Sequence, residues 1–223
     1  MNRIMQLSAL IALGLFLLGC ASVPQPLIPC NSSVKVPDGP LNNASRKYVY
    51  KDLLSPTARG EWSNWMTTKG KDPSSYIKDV ALDDRTLPFG GSGESVRINF
   101  HLGQNDWAGV AVASYPNCWG KRCCPAFYDL AGARRLVFYA RGTHGGESIE
   151  VKTSILGDMP YGDSAPYPAT SGRLQLERDW HRYEVDCQKT DLSRVVTPFS
   201  VFVAGPQNIG DVEIFLDEIY FEF

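Results

Sequence analysis

The sequence predicts an all-β fold, a two-sheet sandwich or jelly roll of about nine strands. Short apolar runs recur after residue 46, separated by turns rich in Gly, Pro, Asp and Asn. Several runs alternate apolar and polar residues, the mark of a strand with one face on a core and the other in water. No long stretch of this region repeats its apolar residues at the helical period of 3.6.

In chain order, Lys47 to Leu53 opens the sandwich. The clearest alternation follows: Val96, Ile98, Phe100 and Leu102 interleave with Ser95, Arg97, Asn99 and His101. Trp107 to Ala113 is a third strand, and residues 134 to 141 (RRLVFYAR) a fourth. Ile149, Val151 and Ile155 alternate with Glu150, Lys152 and Ser154. Leu174 and Leu176, then Tyr183 and Val185, form a pair linked at Arg178-Asp179. Residues 199 to 204 (FSVFVA) and 212 to 223 (VEIFLDEIYFEF) close the series.

The last strand holds a conflict. Its odd positions read Phe215, Asp217, Ile219, Phe221 and Phe223, so Asp217 interrupts what reads as the buried row. An unpaired carboxylate there costs several kcal/mol. Asp217 therefore meets a hard cation such as calcium, accepts backbone hydrogen bonds, or sits at a bulge. The even positions Val212, Ile214 and Leu216 are also apolar, so a switch of parity near Asp217 is equally consistent.

The N-terminus has a different character. Arg3 precedes an apolar run from Leu7 to Leu18, of signal-peptide length and short for a membrane span. It ends at Leu17-Leu18-Gly19-Cys20. This resembles the bacterial lipoprotein signal, which implies cleavage before Cys20, lipidation of Cys20, and an exported, lipid-anchored protein. Ala21 after the cysteine resembles outer-membrane sorting, facing either the periplasm or the cell surface. The expected organisation is a signal peptide over 1–19, a lipidated Cys20 with a Pro- and Ser-rich tether over 20–45, and one domain over 46–223. The chain has 6 Cys; if Cys20 is acylated, the odd remainder leaves at least one thiol outside any intramolecular disulfide. Cys118, Cys123 and Cys124 suggest a local bridge from Cys118 to Cys123 or Cys124, while Cys30 lies in the tether and Cys187 in the domain. The formal net charge is −2 and no basic stripe appears, which excludes nucleic acid as the expected partner.

Several segments resemble a group of calcium-containing jelly-roll carbohydrate-binding modules with a galactose-binding-like fold. They include Trp107-Ala108-Gly109-Val110, Asn117-x-Trp119-Gly120, Tyr128-Asp129-Leu130-x-Gly132-Ala133 and Phe138-Tyr139-Ala140-Arg141-Gly142. Further along, Trp180 to Asp186, Asp191 to Val195 and Phe215-Leu216-Asp217-Glu218-Ile219 continue the pattern. The resemblance covers about residues 47 to 223. It implies a structural calcium near the N- and C-terminal strands, with Asp217 as a ligand and Asp52 as a second. The cysteine-rich insert at 118 to 124 departs from the pattern. So does Ala111 to Pro116, where many relatives are richer in aromatics.

Sugar binding needs flat aromatic faces to stack on pyranose C–H surfaces and polar groups to bond hydroxyls. The candidates are Tyr115, Trp119, Tyr139, Tyr161 and Tyr167, with Arg141 and Asp158 as hydrogen-bonding partners. Trp62, Trp65, Trp107 and Trp180 are assigned to core or sheet-edge packing. Among the enzyme signatures, His-Glu-x-x-His and Gly-x-Ser-x-Gly are absent, and Gly90-Gly91-Ser92-Gly93 reads as a turn. A hydrolase would need two facing carboxylates, drawn from Glu147, Glu150, Asp158 and Asp163. The expectation is thus a non-catalytic glycan-binding lipoprotein. The alternatives are an assembly lipoprotein contacting another envelope protein through an apolar patch, and a glycoside hydrolase.

Overall fold

A computed structural model describes residues 34–35, 43–52, 61–68, 71–115, 118–120 and 126–223. Cys20, the signal segment, the tether up to residue 33, and Cys30, Cys123 and Cys124 lie outside the described residues. The fold is an all-β jelly-roll sandwich, as the alternation predicted. Its strands are β1 (Val34–Lys35), β2 (Arg46–Tyr50), β3 (Glu61–Thr67), β4 (Ile77–Asp84), β5 (Ser95–Leu102), β6 (Trp107–Ala113) and β7 (Ala126–Phe127). There follow β8 (Arg135–Gly142), β9 (Ser148–Thr153), β10 (Ala169–Gln175), β11 (His181–Asp186), β12 (Phe199–Ala204) and β13 (Gly210–Glu222).

One sheet has the order β10-β9-β12-β6-β3. The other runs β11-β8-β13-β5-β4, with β2 pairing with β13. All pairings within these two sheets are antiparallel. A short parallel pair, β1 with β7, stands apart. The core lies between the sheets. On β5, Val96, Ile98, Phe100 and Leu102 are buried while His101 is exposed, which is the alternation read from sequence. Leu136, Phe138 and Ala140 of β8 extend the same layer, and Phe199, Val201 and Val203 of β12 meet it from the opposite sheet.

The strand count exceeds the expected nine by the two-residue β1 and β7 and by β3 and β4. The longer two, β3 and β4, were hidden. Both carry register shifts, between Glu61 and Asn64 in β3 and on either side of Asp79–Ala81 in β4. A bulge reverses which face the next residue takes, so the period-two signal cancels. β10 also begins earlier than expected, at Ala169, and Leu176 lies beyond its end.

The conflict at Asp217 resolves as a parity switch. Val212, Ile214 and Leu216 join the core, and after the bulge Ile219 and Phe221 join it. The register shifts between Asp217 and Tyr220, and Glu218 sits at φ 46°. Asp217 therefore does not interrupt the core row. It faces the outer side of the six-stranded sheet, opposite Tyr139.

Cys118 is buried and disulfide-bonded. Cys187 is a free, buried thiol, and burial pushes its pKa up to about 11. No helix among the described residues is long and apolar enough to cross a membrane.

Candidate functional site

The two outer faces differ because their side chains differ in size. On β6, Gly109, Ala111 and Ala113 alternate with core-facing Ala108, Val110 and Val112. Ala113 is covered by Cys118, Leu156 and Val196, while Gly109 leaves a trough in the outer face of the five-stranded sheet. Phe202 of β12 stands opposite Gly109 in register and fills the trough. A Cβ at residue 109 would lie 2.7 Å from Phe202 Cδ1, so only glycine lets the ring settle against β6. Trp107, two register positions away at the start of β6, packs beside it with ring centroids 6.1 Å apart and an interplanar angle of 46°. Trp107 remains 36% exposed, so it is a surface ring and not the packing residue expected from sequence.

Polar groups rim these two rings. Lys152 of β9 holds its Nζ 5.1 Å from the Phe202 ring centroid and 3.1 Å from Glu150 Oε2. Glu150 also accepts a hydrogen bond from Thr170 Oγ1 at 2.7 Å. A pocket of about 280 Å³ opens here, lined by Phe202, Glu150, Arg173, Gln207, Ser148 and Ala204 among others. An aromatic floor with carboxylate, amide and cationic groups at its edge is chemically suited to a ring that is apolar on its faces and polar at its rim.

Five of the expected sugar-binding residues fall in two other regions. Tyr115, Trp119 and Tyr161 gather at the loops beyond β6 and β9, where the Tyr161 N–H donates to Gly120 O at 3.0 Å. Trp119 is half-buried there against a satellite apolar cluster of Ala113, Cys118, Leu156 and Val196. Tyr115 is 44% and Tyr167 80% exposed, without a ring partner among the described residues. Tyr139 and Arg141 lie on the opposite sheet. The Tyr139 ring is covered by Phe89, 4.1 Å between centroids, and Phe89 in turn meets Trp180 edge-on. Arg141 lies over the ring of Phe215 at 5.9 Å.

Three of the four hydrolase candidates, Glu147, Glu150 and Asp163, already accept hydrogen bonds from their own neighbours. Asp163 is buried and saturated: it accepts from the backbone N–H groups of Leu156, Val196 and Thr197 and from Thr197 Oγ1. Burial raises its pKa and these donors oppose the rise. Glu147 accepts from the backbone N–H of His144 within its own turn, and Asp158 is exposed.

The expected metal residues lie beneath a cover. The segment Arg85–Glu94 crosses the outer face of the six-stranded sheet, and the Phe89 N–H donates to Asp217 Oδ2 at 3.3 Å. Asp217 Oδ1 accepts from the Glu218 N–H at 2.7 Å. Burial pushes the Asp217 carboxyl up to about 7; the charges of Asp52 and Glu218 add to the rise, and the two N–H donors oppose it. Asp52, at φ 49°, accepts from the Glu94 N–H at 2.8 Å. Gly93, at φ 97°, leaves room for the Asp52 carboxylate, since a Cβ there would collide with it. Among the described residues no group of three or more His, Cys, Asp or Glu side chains converges to hold a metal.

No protein-family model and no curated protein matches the chain. Solved structures do. A family 11 carbohydrate-binding module from Clostridium thermocellum, in complex with a β-1,3-1,4-mixed-linked tetrasaccharide, is 9% identical at a TM-score of 0.48, over 80% of this chain and 94% of that one. The TmCBM61 module in complex with β-1,4-galactotriose is 20% identical at 0.42, over 73% and 90%. The glycoside hydrolase domain structure of Endo-D from Streptococcus pneumoniae R6 is 14% identical at 0.48, over 71% of this chain and 21% of that one. At these identities and TM-scores, none of them places a residue or a ligand on this chain.

Proposed function

We propose that this chain is a non-catalytic carbohydrate-binding protein, held at the bacterial envelope by lipid on Cys20, and that the outer face of its five-stranded sheet takes the sugar. The Trp107–Phe202 pair carries this reading. Its rings are 6.1 Å apart, Trp107 is 36% exposed, Glu150 and Gln207 line the pocket with Phe202, and Lys152 lies beside the Phe202 ring, so polar groups are at hand for sugar hydroxyls. Burying such rings against C–H surfaces contributes about 25 cal/mol per Å² of apolar area, and the polar rim sets orientation. The single carboxylate lining the pocket among the described residues, Glu150, is already engaged by Lys152 and Thr170. Glycoside hydrolysis needs two carboxylates about 5 to 9.5 Å apart across the sugar, so this face suits retention and not turnover.

Screening the wild-type chain and the Trp107→Ala and Phe202→Ala variants on a glycan array tests the reading. Wild-type binding that both variants lose supports it, and failure of the wild type to bind any glycan overturns it. The assembly alternative calls for an apolar patch near Cys187 or the tether; Cys187 itself is fully buried, and most of the tether lies outside the described residues. Anchoring is tested separately: Cys20→Ser should release the protein from membranes.

A calcium bound by Asp217 and Asp52 belongs to the same proposal. The residues fit. A desolvated carboxylate repelled by a second one is stabilised by a divalent cation, and calcium accepts carbonyl and water oxygens to complete its shell. Its role there is structural, tying β2, β13 and the Arg85–Glu94 cover together.

A further inference from the structure

We infer that the sugar this face selects is acidic, a pyranose bearing a carboxylate, and that Arg173 reads that carboxylate. The inference rests on the binding face proposed above and concerns its choice of ligand. Three cross-strand neighbours set the local charge. Lys152 and Glu150 neutralise each other at 3.1 Å, and Glu150 is further held by Thr170 Oγ1 at 2.7 Å. Arg173 stands opposite Glu150 in the β10–β9 register, yet it makes no ion pair with it or with any other described residue. It lines the pocket beside Phe202 and Gln207 and is exposed. The pocket lining therefore includes one cation, Arg173, without an ion partner among the described residues, because Glu150 is taken by Lys152 from outside the lining.

The guanidinium presents a planar fork of donors that matches a carboxylate with two parallel hydrogen bonds. Its position on an edge strand matters. β10 is the outermost strand of the five-stranded sheet, and its register shifts between Thr170 and Arg173 with Gly172 at φ 63°. The bulge reverses the alternation, so Thr170 and Arg173, three apart, share the outer face while Leu174 packs against the core. A sugar stacked on Phe202 with its carboxylate toward β10 would meet Arg173, and a neutral sugar would leave that charge unanswered.

Isothermal titration of the full-length chain with oligogalacturonate and oligoalginate, against neutral cello- and galacto-oligosaccharides, tests this in 0.1 M salt. Wild type should favour the uronates at least tenfold, and 1 M NaCl should erase the preference. Arg173→Ala should lower the uronate-to-neutral affinity ratio about tenfold. Arg173→Lys should restore part of it, because a point charge lacks the fork. Circular dichroism verifies that each variant is folded. Binding of neutral sugars with equal or higher affinity, or an unchanged ratio in Arg173→Ala, overturns the acidic preference and leaves the glycan site standing. Failure of both sugar classes to bind overturns the site itself.

Discussion

The ring of Phe202 lies on the backbone of Gly109, its Cδ1 2.7 Å and its Cε1 3.0 Å from where a Cβ on that residue would be. The contact joins β12 to β6 on the surface and not in the core, so it shapes a face without filling a cavity. Gly109→Ala should lift the ring. Overpacking of this kind costs about 1–3 kcal/mol, and the variant should lose glycan affinity by a larger factor than stability. Denaturant unfolding and glycan titration on the same variant separate the two effects. Unchanged affinity would show that the seating of Phe202 is irrelevant to binding.

Asp217 predicts a pH dependence that calcium should reverse. Its folded-state pKa of about 7 exceeds the ordinary 3.8. Without a divalent cation, the folded protein holds a proton that the unfolded chain has released. Stability should then fall as pH rises from about 4 to about 7, and stay low above that, by on the order of 4 kcal/mol at most. Asp84, Asp129 and Glu184 have lowered values and act in the opposite sense, so the comparison must be made against Asp217→Asn. In chelator, the wild-type melting temperature should drop relative to the variant across that window, and added calcium should remove the drop. A wild-type profile parallel to that of Asp217→Asn in chelator would count against the burial effect, and a drop that calcium leaves unchanged would count against the ion.

Asp163 should be intolerant of its amide analogue. Each of its oxygens accepts two hydrogen bonds, at 2.6 to 3.1 Å, from donors on two separate loops. Asparagine replaces one acceptor oxygen with an NH₂ that faces donors. Leaving buried donors unpaired costs about 1–3 kcal/mol each, so Asp163→Asn should destabilise by roughly 2–4 kcal/mol. Thermal melting measures it; a loss below about 1 kcal/mol would mean the loops rearrange to compensate.

Cys187 should be inert while the protein is folded. It is fully buried and its thiol is held protonated to about pH 11. At pH 8, a thiol reagent followed by peptide mapping should label it only after denaturant is added. Labelling at the rate of a free thiol in native buffer would contradict its burial.

The strands that were legible in sequence are those whose pairing is regular. β5 could be read residue by residue because its alternation runs unbroken from Val96 to Leu102. β4 could not, because its register shifts place Ile77 and Val80, three apart, on the core side. Asp217 drew notice as a carboxylate among apolar residues, but the bulge that explains it is a property of pairing with β8. The binding face was least legible. Phe202 falls between Val201 and Val203 and so faces away from the core, a signal present in the sequence, yet its meaning depends on Gly109 across the sheet. Tyr139 was attractive as an exposed aromatic until Phe89, fifty residues earlier in the chain, was found on top of it.

The placement of β13 governs how this protein comes into being. It is the last strand described, yet it lies inside the six-stranded sheet, hydrogen-bonded to β5, β8 and β2. Until its residues emerge, β5 and β8 have no partner on their facing edges, and the apolar residues of both sheets lack their cover. Pairing of Arg46 with Glu222 closes most of the domain into a single loop, so native contacts are dominated by long sequence separations and folding is correspondingly slow. A truncation anywhere before residue 210 would leave two open β-edges, and aggregation would follow in place of a smaller domain.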